Sequence, residues 1–304
     1  HEPTAKMLLF DEGEKIETDE EEAESNDNKP IILVVEDNND IIKYMGSVIK
    51  DATIIYAYNG AEGLKLALNI IPDLIITDIR MPEMDGLTMT KLIRKSEIVN
   101  HIPVIAVTAK CSEEDKVKGL KAGINSYIYK PFNTDELNAT IHGTLEQRRL
   151  IQENFARNNE SNNNSELLDS TDQAFLNKVI DLIYKQMAQQ NVSPADIASA
   201  LCIGTKQLNR KITAITGESL SKYILQVRMN KAKNLFDSNK GLSINDIALR
   251  CGYDENSNFT RAFKSVFGIT PSQYRKTPQT NKQTNKQTNK LINQYHRSYC
   301  IIAA

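Results

Sequence analysis

The chain has 304 residues, of which 40% are hydrophobic and 25% are charged, and its formal net charge is −2. This length and composition can build two domains that each have a hydrophobic core. No apolar run approaches the ~20 residues that a helix needs to span a bilayer, and no secretory signal is recognisable, which argues against a membrane-spanning or secreted protein. The first residue is His1 rather than Met, so we expect the sequence to be a piece of a longer polypeptide.

The cysteines are too few and too scattered for a disulfide framework, and their spacing does not match that of zinc ligands. We interpret them as small buried hydrophobic residues or surface thiols, which fits a location in the reducing cytoplasm. They are Cys111, Cys202, Cys251 and Cys300.

Charge is distributed unevenly along the chain. Residues 1–30 contain 11 acidic and 3 basic side chains and end in Pro30, a composition typical of a solvated acidic linker. Residues 171–277 contain 8 acidic and 15 basic side chains. Only this last part of the chain is therefore expected to bind a polyanion.

Five short apolar runs alternate with helical stretches between residues 31 and 149. Runs that are apolar on both faces and are separated by helices indicate a parallel sheet that is buried on both sides. Five such strand–helix units predict one doubly wound α/β domain over residues 31–149. The runs are IILVV (31–35), ATIIYA (52–57), DLIIT (73–77), IPVIAVT (102–108) and SYIYK (126–130).

Acidic side chains lie where the predicted strands end. Glu36 and Asp37 follow the first strand, and Asp78 follows the third. The carboxyl ends of parallel strands share one edge of the sheet, so these three carboxylates are expected to converge there. A divalent cation would offset their mutual repulsion, and an all-oxygen ligand set suits Mg²⁺ better than zinc or copper.

The fourth and fifth strands bring a hydroxyl and an ammonium group to the same edge, from Thr108 and Lys130. These groups would suit an anion bound against the metal, so the pattern predicts a phosphoryl group carried by Asp78, which acts as the nucleophile. Taken singly, an aspartate at a strand end is more often a helix cap, and a lysine before a proline is more often a surface residue. The occurrence of all five residues at the ends of the correct strands favours the phosphoryl site.

This part of the chain resembles the response-regulator receiver domain of two-component signalling. The resemblance implies a flavodoxin-like fold, with a five-stranded parallel sheet in the order 2-1-3-4-5. The matching stretches are ILVVEDN (32–38), PDLIITDIRMPEMDG (72–86), IPVIAVTA (102–109) and SYIYKPF (126–132).

The resemblance also implies a role for each site residue. Asp78 would accept a phosphoryl group from a histidine, while Thr108 and Lys130 would contact the phosphoryl oxygens. Tyr127 matches the aromatic switch position, whose ring turns inward as Thr108 moves towards the phosphate; the alternative is an ordinary strand aromatic residue. The peptide bond between Lys130 and Pro131 is expected to be cis. Mg²⁺ would be bound by Glu36, Asp37, Asp78 and the backbone carbonyl of Arg80.

A second domain follows after a predicted linker. Residues 150–171 begin as a helical extension and become rich in Asn and Ser, which is typical of an interdomain linker. From 172 to 277 the periodicity is helical, and the motif Asp-Ile-Ala at 196–198 recurs at 246–248, which predicts a duplicated helix-turn-helix. The polar repeats in 278–304 predict a disordered tail. Helix starts are predicted at Ser193-Pro194, Gly204, Ser219, Ser243 and Glu255.

A helix-turn-helix places its second helix in the major groove of DNA, where Arg can pair with guanine, Asn with adenine, and Thr with a thymine methyl group. The predicted DNA-contacting residues are Thr205, Lys206, Gln207, Asn209 and Arg210 in the first half, and Asn256, Ser257, Asn258, Thr260 and Arg261 in the second. The predicted core residues of these helices are Leu208, Ile212, Phe259, Phe263 and Phe267. Candidate phosphate contacts are Lys211, Lys222 and Lys264, each with a solvated surface charge as the alternative.

The basic region resembles the AraC-type DNA-binding domain. The stretch IALRCGYDENSNFTRAFKSVFGITPSQYR (247–275) matches the family signature, and RMNKAKNLF (228–236) matches the connecting helix. The first half departs from the family pattern, because Gly204-Thr205 stands where Ser-Arg is common. A DNA-contacting arginine of the family is therefore absent from the first half.

Together these features predict a phosphorylation-dependent transcriptional regulator rather than an enzyme. Its expected partners are a histidine kinase, which could precede it on the same parent chain, promoter DNA, a second copy of the chain after activation, and RNA polymerase. One alternative is a phosphate sink or adaptor with a degenerate DNA-binding domain, which the intact signature and the basic charge disfavour. The other is an aspartyl-phosphatase, which is disfavoured because Arg80 occupies the second acidic position of the Asp-x-Asp motif of those enzymes.

Overall fold

The computed structural model describes residues 29–109, 113–158, 170–189, 192–238 and 241–276. The predicted acidic linker before residue 29 and the predicted tail from residue 278 lie outside the described residues. Packing divides the chain into two compact units. The first unit comprises the described residues up to 182 together with 193–223, and the second comprises those of 183–192 together with those from 224 onwards.

The first unit contains a five-stranded sheet in which all neighbouring strands are parallel. Its strand order is β2-β1-β3-β4-β5, which confirms the predicted flavodoxin-like arrangement. Each strand lies within one residue or two of the apolar run that predicted it. The strands are β1 (Ile31–Val35), β2 (Thr53–Ala57), β3 (Leu74–Asp78), β4 (Val104–Thr108) and β5 (Ser126–Tyr129).

Two apolar clusters cover the two faces of this sheet. Side chains alternate between the faces along a strand, so Leu33 and Val35 join one cluster while Ile32 and Val34 join the other. Burial on both faces explains why the strands are continuous apolar runs. The flanking helices are α1 (Asn39–Val48), α2 (Gly60–Ile70), α3 (Gly86–Lys95), α4 (Glu113–Ala122) and α5 (Thr134–Asn158).

The remainder of the described chain is helical. The helices begin at the predicted positions: Ser193 caps the first of the repeated helices, and Ser243 caps its counterpart. α5 continues through the predicted domain boundary at residue 150, and the predicted division into domains and linkers stays a prediction. The helices are α6 (Ser170–Ala188), α7 (Pro194–Ala200), α8 (Thr205–Thr216), α9 (Leu220–Ser238), α10 (Ile244–Arg250), α11 (Asn256–Phe267) and α12 (Pro271–Lys276). Among the described helices, none combines the length and the apolar character that a membrane crossing requires.

The two predicted helix-turn-helix units share the same local geometry. In the first turn the backbone N–H of Ile203 donates to the carbonyl of Ala198 at 3.1 Å, and in the second Tyr253 donates to Ala248 at 3.0 Å. α8 and α11 both have 12 residues, and each is followed by a glycine with φ 74°. The sequence repeat is therefore a structural duplication, with the first copy in the first unit and the second copy in the second unit.

One position of the turn requires a left-handed backbone, and the two copies meet this requirement differently. The second residue after the end of the first helix is Cys202 in α7–α8, with φ 56°, and Gly252 in α10–α11, with φ 77°. Only glycine adopts this conformation without steric cost.

We therefore predict opposite effects for two substitutions in the turns. Cys202→Gly relieves the backbone strain at an exposed position and should raise the free energy of unfolding by about 1 kcal/mol. Gly252→Ala introduces that strain, and its Cβ would lie 3.3 Å from the Cα of Met187, so stability should fall by about 1–2 kcal/mol. Urea unfolding followed by circular dichroism measures both changes, and a destabilised Cys202→Gly variant would contradict this account.

Candidate functional site

Three carboxylates meet at the carboxyl edge of the sheet, as predicted. Glu36 and Asp37 directly follow β1, and Asp78 is the last residue of the neighbouring strand β3. Each contributes an oxygen to a group of atoms that all lie within 4.8 Å of one another. Glu36 is only 1% exposed, whereas Asp37 lies at the surface. The cluster thus extends from the interior of the domain to solvent.

Lys130 is the cation that faces this cluster. It directly follows β5, and its ammonium Nζ lies 2.5 Å from Asp78 Oδ2 and 2.7 Å from Glu36 Oε2. The peptide bond to Pro131 is cis, as the receiver resemblance implied. One ammonium group therefore holds together carboxylates from two strands that would otherwise repel each other.

Burial and charge act in opposite directions on the ionisable groups of the site. Burial raises the pKa of Glu36 above its usual value, and the charge of Asp78 adds to this effect, while the hydrogen bond and charge of Lys130 oppose it. Burial lowers the pKa of Lys130, but its hydrogen bonds to Asp78 and Glu36 outweigh burial, so that the net pKa is raised. Lys130 therefore stays positively charged at neutral pH.

The loop after β3 fixes the direction of the Asp78 side chain. The backbone N–H of Arg80 donates to Asp78 Oδ1 at 3.1 Å, so both carboxylate oxygens of Asp78 are engaged. Gly86 at the start of α3 is necessary for this loop, because a Cβ there would lie 2.0 Å from the carbonyl oxygen of Asp78. Asp85 caps the helix by accepting from the backbone of Thr88.

The predicted switch residues lie on the adjacent strands. Thr108 ends β4 and is 4% exposed. Tyr127 lies on β5, and its hydroxyl donates to the carbonyl of Lys116 in α4 at 3.4 Å. The ring fits against α4 because residue 119 is a glycine, where a Cβ would lie 1.6 Å from the tyrosine hydroxyl. The roles of Thr108 and Tyr127 in switching remain predictions.

The donor set suits the predicted metal. Three carboxylates offer only hard oxygen ligands, and Asp37 leaves one side of the cluster open to water, which Mg²⁺ usually retains in its coordination shell. Mg²⁺ would be bound by Glu36, Asp37, Asp78 and the carbonyl of Arg80, and this assignment also stays a prediction.

Two features of the site could not be read from the sequence motifs. The sequence predicts Lys130 and Glu36 at the same edge of the sheet but not the direct hydrogen bond between them, because no spacing rule relates two residues so far apart in the chain. Gly119 of α4 makes room for the ring of Tyr127 on β5. The sequence could have indicated this only if positions 119 and 127 had been considered together.

The second candidate DNA-contacting helix presents a polar face. In α11 the predicted contacts Asn256, Ser257, Asn258 and Arg261 are exposed, and Thr260 is partly buried. Phe259 and Phe263 are fully buried and pack in the core of the second unit, which confirms their structural role.

The first candidate helix is engaged by other parts of the first unit. In α8, Thr205 and Lys206 are exposed, but the Gln207 amide donates to the carbonyl of Leu68 at 2.9 Å. The Arg210 guanidinium lies 3.6 Å from Asp73 Oδ2. Asn209 accepts from the backbone of Leu220 at 2.8 Å, so it stabilises the start of α9. Three of the five predicted contacts of this helix therefore have protein partners here.

Two of the three candidate phosphate contacts lie at the surface, and the third does not. Lys222 and Lys264 are exposed. The assignment of Lys211 is wrong for this structure, because its side chain is 0% exposed and bonds to Asp172 at 2.6 Å. Lysine is exposed by default in a helical pattern, so the sequence alone favoured the surface interpretation.

Comparison with known protein families identifies two domains in the chain. A response regulator receiver domain matches residues 32–142, and a helix-turn-helix domain matches residues 197–277. The first match contains the carboxylate cluster and Lys130, and the second begins within α7 and contains the rest of both repeated helix pairs.

Individual proteins are similar to parts of the chain. "Histidine kinase P4" of Formosa agariphila is 32% identical over 248 residues, which make up 81% of this chain and 18% of that protein. The transcriptional regulatory protein DltR of Streptococcus agalactiae is 37% identical over 128 residues, which make up 41% of this chain and 56% of that protein. The chain thus spans less than two thirds of either relative. Among solved structures, the receiver domain of the Francisella response regulator 1452 is 32% identical, with a TM-score of 0.37, over 39% of this chain and 98% of that one.

We predict that Lys130→Met destabilises the chain and that Mg²⁺ reverses part of the loss. Without the ammonium, Glu36 stays buried beside Asp78 with no compensating charge, which should cost about 2 kcal/mol or more. Mg²⁺ can replace the missing charge among the carboxylates. Urea unfolding with and without Mg²⁺ measures both effects.

The matched control is Lys178→Met, which removes an ammonium from the exposed pair with Glu97. An exposed pair contributes roughly 0–1 kcal/mol, so this variant should be close to wild type and should not respond to Mg²⁺. Equal losses in the two variants would contradict the importance of the buried pair.

Proposed function

The chain contains a response regulator receiver domain and an AraC-type helix-turn-helix domain, and we propose that it is a transcriptional regulator controlled by phosphorylation of Asp78. One observation carries the proposal: the Asp78 carboxylate lies at the edge of the sheet between an acidic cluster and the ammonium of Lys130. In this arrangement the Asp78 carboxylate faces both a cation and an opening to solvent, where a phosphoryl donor could approach it as a nucleophile.

In the proposed reaction, an oxygen of Asp78 attacks the phosphorus of a phosphohistidine on a kinase. The P–N bond to the histidine breaks as the P–O bond to Asp78 forms, and the product is an acyl phosphate. Lys130 then moves from the carboxylate to the phosphoryl oxygens, which carry the additional negative charge. A bound Mg²⁺ would neutralise charge on the incoming phosphoryl group. The chain itself would catalyse only its own phosphorylation and dephosphorylation.

Two residues are proposed to transmit the change. Thr108 is buried at the end of β4. It lies next to Asp78 in the sheet, because the preceding residue, Val107, pairs with Asp78 on β3. A new phosphoryl group would offer an acceptor for its hydroxyl. Tyr127 of β5 pairs with Ala106 of β4, and Ala106 and Thr108 lie on the same face of β4 because they are two residues apart. Movement of Thr108 would therefore open space for the tyrosine ring.

The helix-turn-helix domain would bind promoter DNA, with direct base contacts from α11 and α8. Phosphorylation would favour pairing of two receivers, which places two DNA-binding domains on repeated half-sites, and bound regulators would then contact RNA polymerase.

The proposed place of action is the cytoplasm, where promoter DNA is accessible. The similarity to a much longer protein named as a histidine kinase supports a kinase partner on the same parent polypeptide.

We predict that Asp78→Asn abolishes labelling by radioactive acetyl phosphate in the presence of Mg²⁺, because an amide cannot form the acyl phosphate. The control is Asp85→Asn, a helix cap in the same loop whose amide oxygen can still accept the capping hydrogen bond. This control should label like wild type. Labelling of Asp78→Asn at the wild-type level would place the phosphoacceptor elsewhere.

We predict that Arg261→Ala weakens specific DNA binding by about 1–3 kcal/mol, because an exposed arginine of α11 would lose its contact with a base edge. Arg261→Lys is the matched control: it keeps the charge but cannot make the two-pronged contact of a guanidinium, so it should lose specificity and keep most non-specific affinity. Footprinting on duplexes selected from a random library measures both. Unchanged footprints for Arg261→Ala would rule out this assignment of the recognition helix.

A further inference from the structure

The ammonium group of Lys211 is completely buried in the first unit. Its Nζ lies 2.6 Å from Asp172 Oδ1, 2.8 Å from Asn100 Oδ1 and 2.8 Å from His101 Nδ1. The aromatic ring of Phe175 lies beneath it, with 5.4 Å from Nζ to the centroid. An ammonium has three N–H donors, and these three acceptors can satisfy all of them, which explains how a charge is accommodated at a buried position.

The partners of Lys211 come from different elements. Asp172 lies in the first turn of α6, while Asn100 and His101 lie between α3 and β4 of the receiver. Asn100 also donates to Asp172 at 3.2 Å, so the acceptors are connected to one another. Burial, together with the charge of Lys211, holds the pKa of His101 well below its usual value, so that the imidazole is neutral and Nδ1 can accept from the ammonium.

The rest of the same helical stripe also contacts other elements of the first unit. Residues 207, 210, 211 and 214 recur at helical spacing along one face of α8. Gln207 binds the carbonyl of Leu68 near the end of α2, Arg210 pairs with Asp73 before β3, and the carbonyl of Ala214 accepts from Gln152 of α5 at 2.8 Å. We call these four residues the docked stripe of α8. A neighbouring stripe of the same helix contains the buried apolar residues Leu208, Ile212 and Ile215.

The second copy of the repeat provides an internal comparison. Because α8 and α11 align with an offset of 51 residues, the docked stripe corresponds to Asn258, Arg261, Ala262 and Ser265. Three of these four are exposed, and Ala262 is partly buried. The helix-turn-helix fold itself therefore does not require burial of this stripe. In α8, Lys211 is buried and the other three residues are partly buried, against the receiver, α5 and α6.

We infer that the amino edge of the receiver sheet is a docking surface for α8 that withholds this helix from DNA. The inference rests on the proposed function, since it gives Gln207 and Arg210 a role as base contacts. A helix about 10–12 Å across fills the major groove, so a stripe that contacts the receiver cannot contact base edges at the same time. The first half binds DNA only after the docked stripe has been released.

The test compares variants of the Lys211–Asp172 pair in the full chain. Lys211→Ala places in α8 the residue that the second copy carries, and it leaves Asp172 unpaired. Asp172→Lys places a second ammonium beside Lys211. The double variant Lys211→Asp with Asp172→Lys restores an ion pair of reversed sense. Lys185→Ala, at an exposed position, is the control for the loss of one positive charge.

Hydrogen–deuterium exchange reports docking without DNA. Amides of α8 should exchange faster in both single variants than in wild type, and exchange should slow again in the double variant. Amides of α11 serve as the internal reference and should not change. Unchanged exchange of α8 in both single variants would overturn the docking surface.

Binding to duplexes selected from a random library by the wild-type chain, treated with beryllofluoride as a phosphoryl mimic, reports access to DNA. Both single variants should bind about fivefold more tightly or better than untreated wild type, a size typical of coupled equilibria. They change the net charge in opposite directions, so a simple charge effect would move their affinities apart. Wild-type affinity in variants whose α8 exchanges faster would overturn the inference while leaving the proposed function intact. If no version of the chain binds any duplex, the proposed function fails and the inference fails with it.

Discussion

The structure of the site depends on the balance of charge at the carboxyl edge of one parallel sheet. Parallel strands deliver their final residues to the same edge, and in this chain β1 and β3 deliver carboxylates. Glu36 is almost completely buried there, so its charge needs a partner inside the domain. Lys130 supplies it, and the same ammonium also pairs with Asp78. A negative group that arrives at Asp78 must therefore compete for, or share, a cation that already stabilises the fold.

The two groups of polar contacts described above lie at opposite edges of the sheet, and the same strands connect them. β3 has five residues, so its ends are about 13–17 Å apart at 3.3 Å per residue. Asp78 ends this strand at the carboxyl edge, and Asp73, which pairs with Arg210 of α8, directly precedes it at the amino edge. β4 likewise begins after His101 and ends at Thr108. The proposed phosphorylation site and the contacts of the docked stripe thus lie at opposite ends of the same two strands and share no residue.

The fold and the acidic cluster could be predicted from the sequence because they depend on local patterns. Continuous apolar runs predicted the strands. The residues that follow each run were predicted to lie at the carboxyl edge of the sheet, because parallel strands all end at that edge. Cap residues such as Ser193 and Ser243 marked the helix starts because their side chains satisfy free N–H groups close by in the chain. These signals are all contained within a few residues.

The environment of Lys211 could not be predicted in this way. Its partners Asn100 and Asp172 lie 111 and 39 residues away, and no local pattern records such distances. The lysine also occupies a helical face between apolar positions, where the default expectation is a side chain that reaches solvent. The available signal was the internal repeat: Arg210 and Arg261 are the same residue type at equivalent positions, whereas Lys211 stands opposite Ala262. A duplicated fold that carries a charge in only one copy indicates that this copy has an additional neighbour. In the structure that neighbour is formed by Asn100, His101 and Asp172, so the asymmetry of the repeat reflects the surroundings of α8 rather than a difference within the helix-turn-helix itself.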